Sequence, residues 1–210
     1  MTAKSVLLTG TTGFIGRHMA AWLKTGGHHV ASLQRSAEMV AGVDEILLAG
    51  EFDPDTIAIK LRHRRFDWLI HLAGYGVRPG DRDAETMFRI NVAVTHRLVR
   101  EACAWPAKAA FIAGSGSEYD TATADRPVSE DHPLEGHKIY GASKAASSLV
   151  ALATATTCDL PLAVGRIFGV FGPASRRTGC CPACLPAFAA ANGSPSAPAL
   201  KSVTCCISTI

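Results

Sequence analysis

The stretch Val6–His18, "VLLTGTTGFIGRH", joins an apolar run to an amphipathic one through Gly10, Gly13 and Gly16. Residues 5–9, "SVLLT", have the length and apolar character of a strand buried on both faces of a parallel sheet. Beyond the glycines, Ile15, Met19, Trp22 and Leu23 recur at helical spacing and predict one shared face. A G-x-x-G-x-x-G segment between strand and helix has a physical reason for each glycine. One makes the tight turn, one lets a pyrophosphate approach the backbone, and one lets the helix pack on the strand. The helix N-terminus then offers free N–H groups and a partial positive charge to phosphate oxygens. The segment predicts a dinucleotide cradle of Gly10, Thr12, Gly13, Phe14, Ile15 and Gly16, set against the plainer reading of a structural turn.

Working outward, the same alternation continues. "VASL" (30–33), "EILLA" (45–49), "DWLIHLA" (67–73), "AAFIAG" (109–114) and "PLAVGRIF" (161–168) are short apolar runs of strand length. Helical patterns lie between them. Ile57 and Leu61 share a face, and Met87, Phe88, Asn91, Val94, Thr95, Leu98 and Ala102 mark a longer helix. Another helix follows Tyr140 and runs towards Thr157. Strand–helix alternation of this kind predicts an α/β fold, a doubly wound parallel sheet of the Rossmann type.

With 210 residues, 48% of them hydrophobic, the chain is long enough for one domain with a sizeable core. A net charge of +3 with both signs interspersed makes no basic stripe, so nucleic acid is not an expected partner. No signal peptide and no apolar run of membrane-spanning length stand out, which predicts a soluble, cytoplasmic protein with no membrane partner.

The dinucleotide itself is read near the end of the second strand, where NAD-binding chains place an acid on the ribose. Here the sequence is Gln34, Arg35, Ser36. An arginine at that place suits a 2′-phosphate, so NADP is the expected cofactor, with NAD the alternative.

Tyr140 and Lys144 in "YGASK" are one helical turn apart and so share a face. A tyrosine working near neutrality needs its pKa of about 10 lowered by about 3, roughly 4 kcal/mol. One positive charge at ~4 Å supplies about that much at an effective dielectric near ~20. The expectation is a phenol acidified by Lys144. Upstream, "FIAGSGSEYD" follows the fifth strand, where open α/β sheets hold ligands, and it offers the hydroxyls of Ser115 and Ser117.

Taken in order, "TGTTGFIG", "DWLIHLAG", "NVAVT", "SGSEYD", "YGASK" and "LPLAVGRIFGVFGP" resemble the extended short-chain dehydrogenase/reductase family. The resemblance is narrower still to its NAD(P)-dependent nucleotide-sugar epimerases and dehydratases. It implies that Tyr140 is the general acid/base and that Lys144 holds the nicotinamide ribose and lowers the phenol pKa. Counting back from Tyr119, it assigns the catalytic hydroxyl to Ser115 rather than Ser117. It also implies that Leu72, Ala73 and Gly74 line the cofactor and that Asn91 orders the backbone nearby. Family dehydratases carry an Asp-Glu pair after the hydroxyl residue; Gly116 and Ser117 stand there, which counts against dehydration. A nucleotide sugar is the implied substrate and a homodimer the implied assembly. The other reading is a catalytically silent NAD(P)-binding domain or fragment.

The likeness fades after Pro173, and no acid follows Asp159. Residues 1–173 are therefore read as the cofactor domain with Ser115, Tyr140 and Lys144. Residues 174–210 are read as an irregular Cys/Pro/Ala-rich tail, in place of a largely missing substrate domain. Cys103 and Cys158 read as small buried hydrophobes. Cys181 and Cys184 form a C-x-x-C, but adjacent Cys205 and Cys206 suit a tetrahedral zinc site poorly. The histidines lack metal-ligand spacing, so no metal is expected.

Overall fold

The structure, a computed structural model, describes residues 2–78, 80–122 and 128–170, together with the backbone of 205–209. Six strands run parallel: β1 (Ser5–Thr9), β2 (His29–Gln34), β3 (Glu45–Leu48), β4 (Trp68–His71), β5 (Ala109–Ser115) and β6 (Leu162–Ile167). A seventh, β7 (Cys205–Thr209), pairs antiparallel with β6. The sheet order is β3-β2-β1-β4-β5-β6-β7. The chain winds outward from β1 to β3, returns to the other side of β1, and winds outward again. The reversal lies between β1 and β4, the switch point where such sheets bind ligands.

Each strand is apolar because both of its faces are covered. On β1, Leu7 faces Leu33, Leu69, Ile112 and Val164 beneath the helices α2 (Pro54–Leu61), α4 (Thr95–Cys103) and α5 (Ile139–Thr156). Its neighbours Val6 and Leu8 face Ala20 and Leu23 of α1 (Phe14–Thr25) on the other side. Burying one such leucine contributes roughly 1.5–3 kcal/mol. Helix α2 starts where Asp53 accepts from the amides of Asp55 and Thr56, with Pro54 in the first turn.

Two helix faces differ from expectation. The inward stripe of α1 is Gly16, Ala20 and Leu23, while Trp22 is 67% exposed. The long helix read from Met87 to Ala102 begins as α3 (Ala84–Met87), continues as a π-helical segment (Phe88–Val94) and becomes α4. The wider π turn breaks the 3.6-residue phase, so Met87, Asn91 and Thr95 stay buried while Phe88 turns out to solvent.

One cysteine reading and the reading of the tail also change. Cys103 and Cys158 are joined in a disulfide, both partly buried, because α4 and α5 end side by side. The tail is not irregular throughout, since residues 205–209 form an edge strand. Its uncharged stretch, with a β-branched Ile207 and Thr209, is compatible with a ladder. Residues 171–204, with Cys181 and Cys184, lie outside the described residues.

Candidate active site

The glycine turn closes against the end of β4. Gly10 has φ +73°, and a Cβ there would lie 2.8 Å from the Ala73 nitrogen and the Leu72 carbonyl carbon. A Cβ on Gly16 would lie 2.1 Å from the Gly10 carbonyl oxygen, so only glycine lets α1 sit this close to β1. Gly13 donates its amide to the Gly10 carbonyl at 3.0 Å and begins α1 with no side-chain cap. The first amides of α1 thus remain available to a phosphate. Thr9 Oγ1 accepts from the amides of Leu72 at 3.2 Å and Ala73 at 3.1 Å, tying the two strand ends together. Thr12, Phe14, Ile15 and Gly74 lie on the same rim, open or half-open to solvent. This cradle fits a dinucleotide: a close backbone turn, an uncapped helix N-terminus and a groove at the switch point.

At the end of β2, Gln34 is turned inward. Its side-chain carbonyl accepts from Thr11 and Ser32, and its amide donates to the carbonyls of Ser36 and Glu38. Arg35 is exposed on the rim, and no acid stands at its position. The nearest acid along the chain, Glu38, pairs with Arg17.

At the end of β5, one 3₁₀ turn (Gly116–Glu118) carries the chain into the cleft. Ser115 stands near enough to Tyr140 for its hydroxyl to draw the phenol pKa down. Lys144, one turn along α5, is buried and donates Nζ to the Ala113 carbonyl at 2.7 Å. Both α5 side chains therefore meet the same strand end, at residues 113 and 115. The expected acidification of the phenol by Lys144 is not what this arrangement produces. Burial pushes the Tyr140 phenol up from its ordinary value, the nearby Ser115 hydroxyl draws it back, and the Glu118 carboxylate pushes it up again. The Lys144 amine is pushed down by burial and partly restored by Glu118. Removing an ammonium and a phenol from water outweighs a helical pairing judged from spacing alone.

Asn91 sits inside the π-helical segment and is buried. Its Oδ1 accepts from the Tyr75 amide at 2.9 Å, and its Nδ2 donates to the Tyr75 carbonyl at 2.9 Å and to Ser143 Oγ at 3.0 Å. Both of its N–H groups and one lone pair go to the loop after β4 and to Ser143 near the start of α5. It is placed to order the backbone beside Tyr140.

The profile of the NAD dependent epimerase/dehydratase family matches residues 6–197. The chain belongs to that family. Among its relatives, the dTDP-6-deoxy-L-talose 4-dehydrogenase (NAD(P)(+)) of Kitasatospora kifunensis is 30% identical over 148 residues, covering 68% of this chain and 45% of the relative. The dTDP-glucose 4,6-dehydratase of Streptomyces griseus is 29% identical, covering 80% and 55%. The solved structure of MoeE5 in complex with UDP-glucose and NAD superposes with a TM-score of 0.69 at 30% identity, covering 83% of this chain and 57% of that one. The chain spans about half the length of the curated relatives it matches. The family match extends past residue 173, where the sequence reading placed its domain boundary.

Within this member of the family, three features escaped the sequence reading. Glu118 and Arg166 form a buried ion pair, with Nε donating to Oε2 at 2.8 Å. Glu135 accepts from the amides of His137 and Lys138 and so shapes the approach to α5. His71 is buried between Thr9 and Thr95. The only sequence signal for the first was an arginine inside an otherwise apolar strand. A cleft beside Tyr140 is lined by Arg82, Ser117, Glu135, Lys138 and Ile139. Among the described residues, no group of three or more His, Cys, Asp or Glu is placed to hold a metal, and no helix is long and apolar enough to cross a membrane.

Proposed function

We propose that the chain carries the cofactor and acid/base half of an NAD(P)-dependent enzyme that interconverts a hydroxyl and a carbonyl on a nucleotide-activated sugar. The supporting observation is that α5 packs on the turn after β5, at Gly141 against the Ser117 carbonyl and Lys144 on the Ala113 carbonyl, which sets Tyr140 beside Ser115 one strand away from the glycine cradle. The nicotinamide cofactor supplies the carbon that accepts or returns the hydride. Gly10, Thr12, Gly13, Phe14, Ile15 and Gly16 would hold its pyrophosphate, and Leu72, Ala73 and Gly74 would line it. Lys144 would bind its ribose on leaving the Ala113 carbonyl. Tyr140 takes the proton when the sugar hydroxyl is oxidised and gives it back when the carbonyl is reduced. Ser115 hydrogen-bonds the same sugar oxygen and holds it against the phenol. Gly116 and Ser117, in place of an acidic pair, favour epimerisation or reduction over dehydration. The silent NAD(P)-binding reading draws on Lys144 being bonded to Ala113 and on burial raising the phenol.

The test has two parts. Fluorescence titration with NADH and NADPH is expected to show saturable binding. Turnover is then expected with at least one UDP-, GDP-, CDP- or dTDP-sugar, and to fall by about 10²–10⁴-fold in Tyr140→Phe, the range of one general acid/base. Binding without turnover on any sugar selects the silent reading.

NADP is the proposed dinucleotide, resting on the exposed Arg35 at the end of β2. Arg35→Ala is expected to weaken NADPH by about 10-fold or more, the size of a charge-assisted contact, and to leave NADH nearly unchanged. Equal loss for both would remove Arg35 from the recognition of the 2′-phosphate.

A further inference from the structure

The end of β5 is built around a carboxylate that solvent does not reach. Glu118 closes a capping box: its Oε1 accepts from the Ser115 amide at 2.8 Å, while Ser115 Oγ accepts from the Ser117 amide at 3.2 Å. The other oxygen, Oε2, takes Arg166 Nε at 2.8 Å. Arg166 stands opposite Gly114 in the β5–β6 register, and its Nη1 donates to the Tyr119 hydroxyl at 2.9 Å. Its guanidinium also lies 4.7 Å from the centre of the Tyr119 ring. Room for the carboxylate comes from Gly114, where a Cβ would lie 2.5 Å from Glu118 Oε1. The carboxylate that bonds the Ser115 amide is thus itself held from below by an ion pair whose partners are 48 residues apart, while the Glu135 amide holds the Glu118 carbonyl at 2.8 Å. The turn also meets α5 directly, since a Cβ on Gly141 would lie 2.2 Å from the Ser117 carbonyl oxygen.

We propose that Glu118, locked by Arg166, is a positioning residue that aims the Ser115 hydroxyl at Tyr140. It does so by fixing the Ser115 backbone, without touching the reacting atoms. This deepens the proposed function, because it rests on Ser115 being the hydroxyl partner of the phenol. The charged and titratable groups around the pair are Arg166 from β6, Tyr119 from the turn, and Tyr140 and Lys144 from α5. His132 packs its edge on Tyr119. A carboxylate to amide change at Glu118 keeps the shape, but the one carboxamide oxygen cannot accept from both Arg166 Nε and the Ser115 amide, so one donor is left facing an N–H. The Ser115 amide then loses its fixed acceptor.

The experiment reads Tyr140 without any substrate. The full chain contains three tyrosines, so uniform 3-fluorotyrosine labelling gives three ¹⁹F resonances. Tyr140→Phe assigns the one of interest, and fluorination moves the phenol titration to lower pH. In the otherwise unaltered chain, Ser115→Ala is expected to raise the Tyr140 proton affinity by about three- to tenfold, the size of one hydrogen bond. In the Glu118→Gln background the same Ser115→Ala change is expected to move the midpoint by less than about a third of that, because the hydroxyl is no longer aimed. The change in charge at position 118 cancels, since each comparison is made within one background. Should Glu118→Gln fail to fold, Glu118→Leu with Arg166→Met removes both charges together and leaves no orphaned ion. The Ser115→Ala shift is expected to vanish there too. An equal Ser115→Ala shift in all backgrounds overturns the positioning role. Absence of turnover bears only on the proposed function, because the ¹⁹F readout does not depend on it.

Discussion

His71 shows how one side chain's hydrogen bonds fix its charge. Thr9 Oγ1 already accepts two amides, so its own proton goes to His71 Nδ1 at 2.7 Å. Thr95 donates its hydroxyl to the Asn91 carbonyl at 2.7 Å, so its oxygen receives His71 Nε2–H at 3.0 Å and the Ser147 hydroxyl at 3.1 Å. Only the neutral imidazole with its proton on Nε2 satisfies every partner. Burial pushes the imidazole down to about 3, and the Lys144 charge pushes the same way. The folded pKa therefore lies below the unfolded value of about 6.5, and the unfolded chain takes up the proton first. The stability this supplies is complete above pH ~6.5 and is lost as pH falls from there towards ~3. About 2 kcal/mol is expected to be gone by pH ~5, before most carboxylates titrate. Urea unfolding at pH 7 and pH 5 checks this, and His71→Gln is expected to flatten the difference. Parallel losses in both proteins would move the acid sensitivity elsewhere.

At the scale of elements, Gly141 carries the contact between α5 and the turn after β5. Glycine within a helix ordinarily costs about 1 kcal/mol against alanine, so Gly141→Ala should stabilise if the site were open. A Cβ there would instead lie 2.2 Å from the Ser117 carbonyl oxygen and 2.6 Å from Glu135 Cγ. Overpacking of that kind costs roughly 1–3 kcal/mol, so the clash outweighs the propensity gain. The expected result is a lower urea midpoint and a larger loss in kcat than in KM, because α5 carries Tyr140 away from Ser115. Gly136→Ala, with nothing within 4 Å of its Cβ, is the matched control and is expected to be nearly neutral. An unchanged midpoint in Gly141→Ala would mean that the turn yields freely. This contact also marks the limit of what the sequence discloses. The strands from β1 to β6 were legible because burial on both faces leaves continuous apolar runs, and the glycine cradle was legible because its spacing is local. The faces of Trp22 and Phe88 were misread, because periodicity gives the angle between side chains and not the direction of the core. The pair Tyr140 and Lys144 was legible as a helical turn. Its electrostatics were not, because the decisive partners, the Ala113 carbonyl and Glu118, lie 31 and 26 residues before Lys144 in the chain.

For the whole molecule, the two halves of the sheet are joined by the β1–β4 ladder, the layer of α2, α4 and α5 covers one face across both, and the Cys103–Cys158 disulfide pins that layer at its far end. The bond sits at the opposite ends of α4 and α5 from Asn91 and Tyr140, so it stabilises the layer without entering the site. Its effect on the unfolded chain follows from the loop it closes, a sequence separation of 55 residues. Loop-closure entropy for that length stabilises the fold by about 4 kcal/mol at most, and measured values commonly fall between about 2 and 4 kcal/mol. Cys103→Ser is expected to lower the unfolding free energy by that amount, and a reductant should reproduce the loss in the unaltered protein but add nothing in the variant. Cofactor titration should be unchanged in both, since the glycine cradle belongs to β1, β4 and α1, whose contacts the bond does not touch. A reductant that leaves the unaltered protein's unfolding curve in place would show the two thiols to be unjoined in solution, and the α4–α5 layer to be held by the packing of Leu98, Val99, Ala102, Ala151 and Ala155 with the Ser147–Thr95 hydrogen bond.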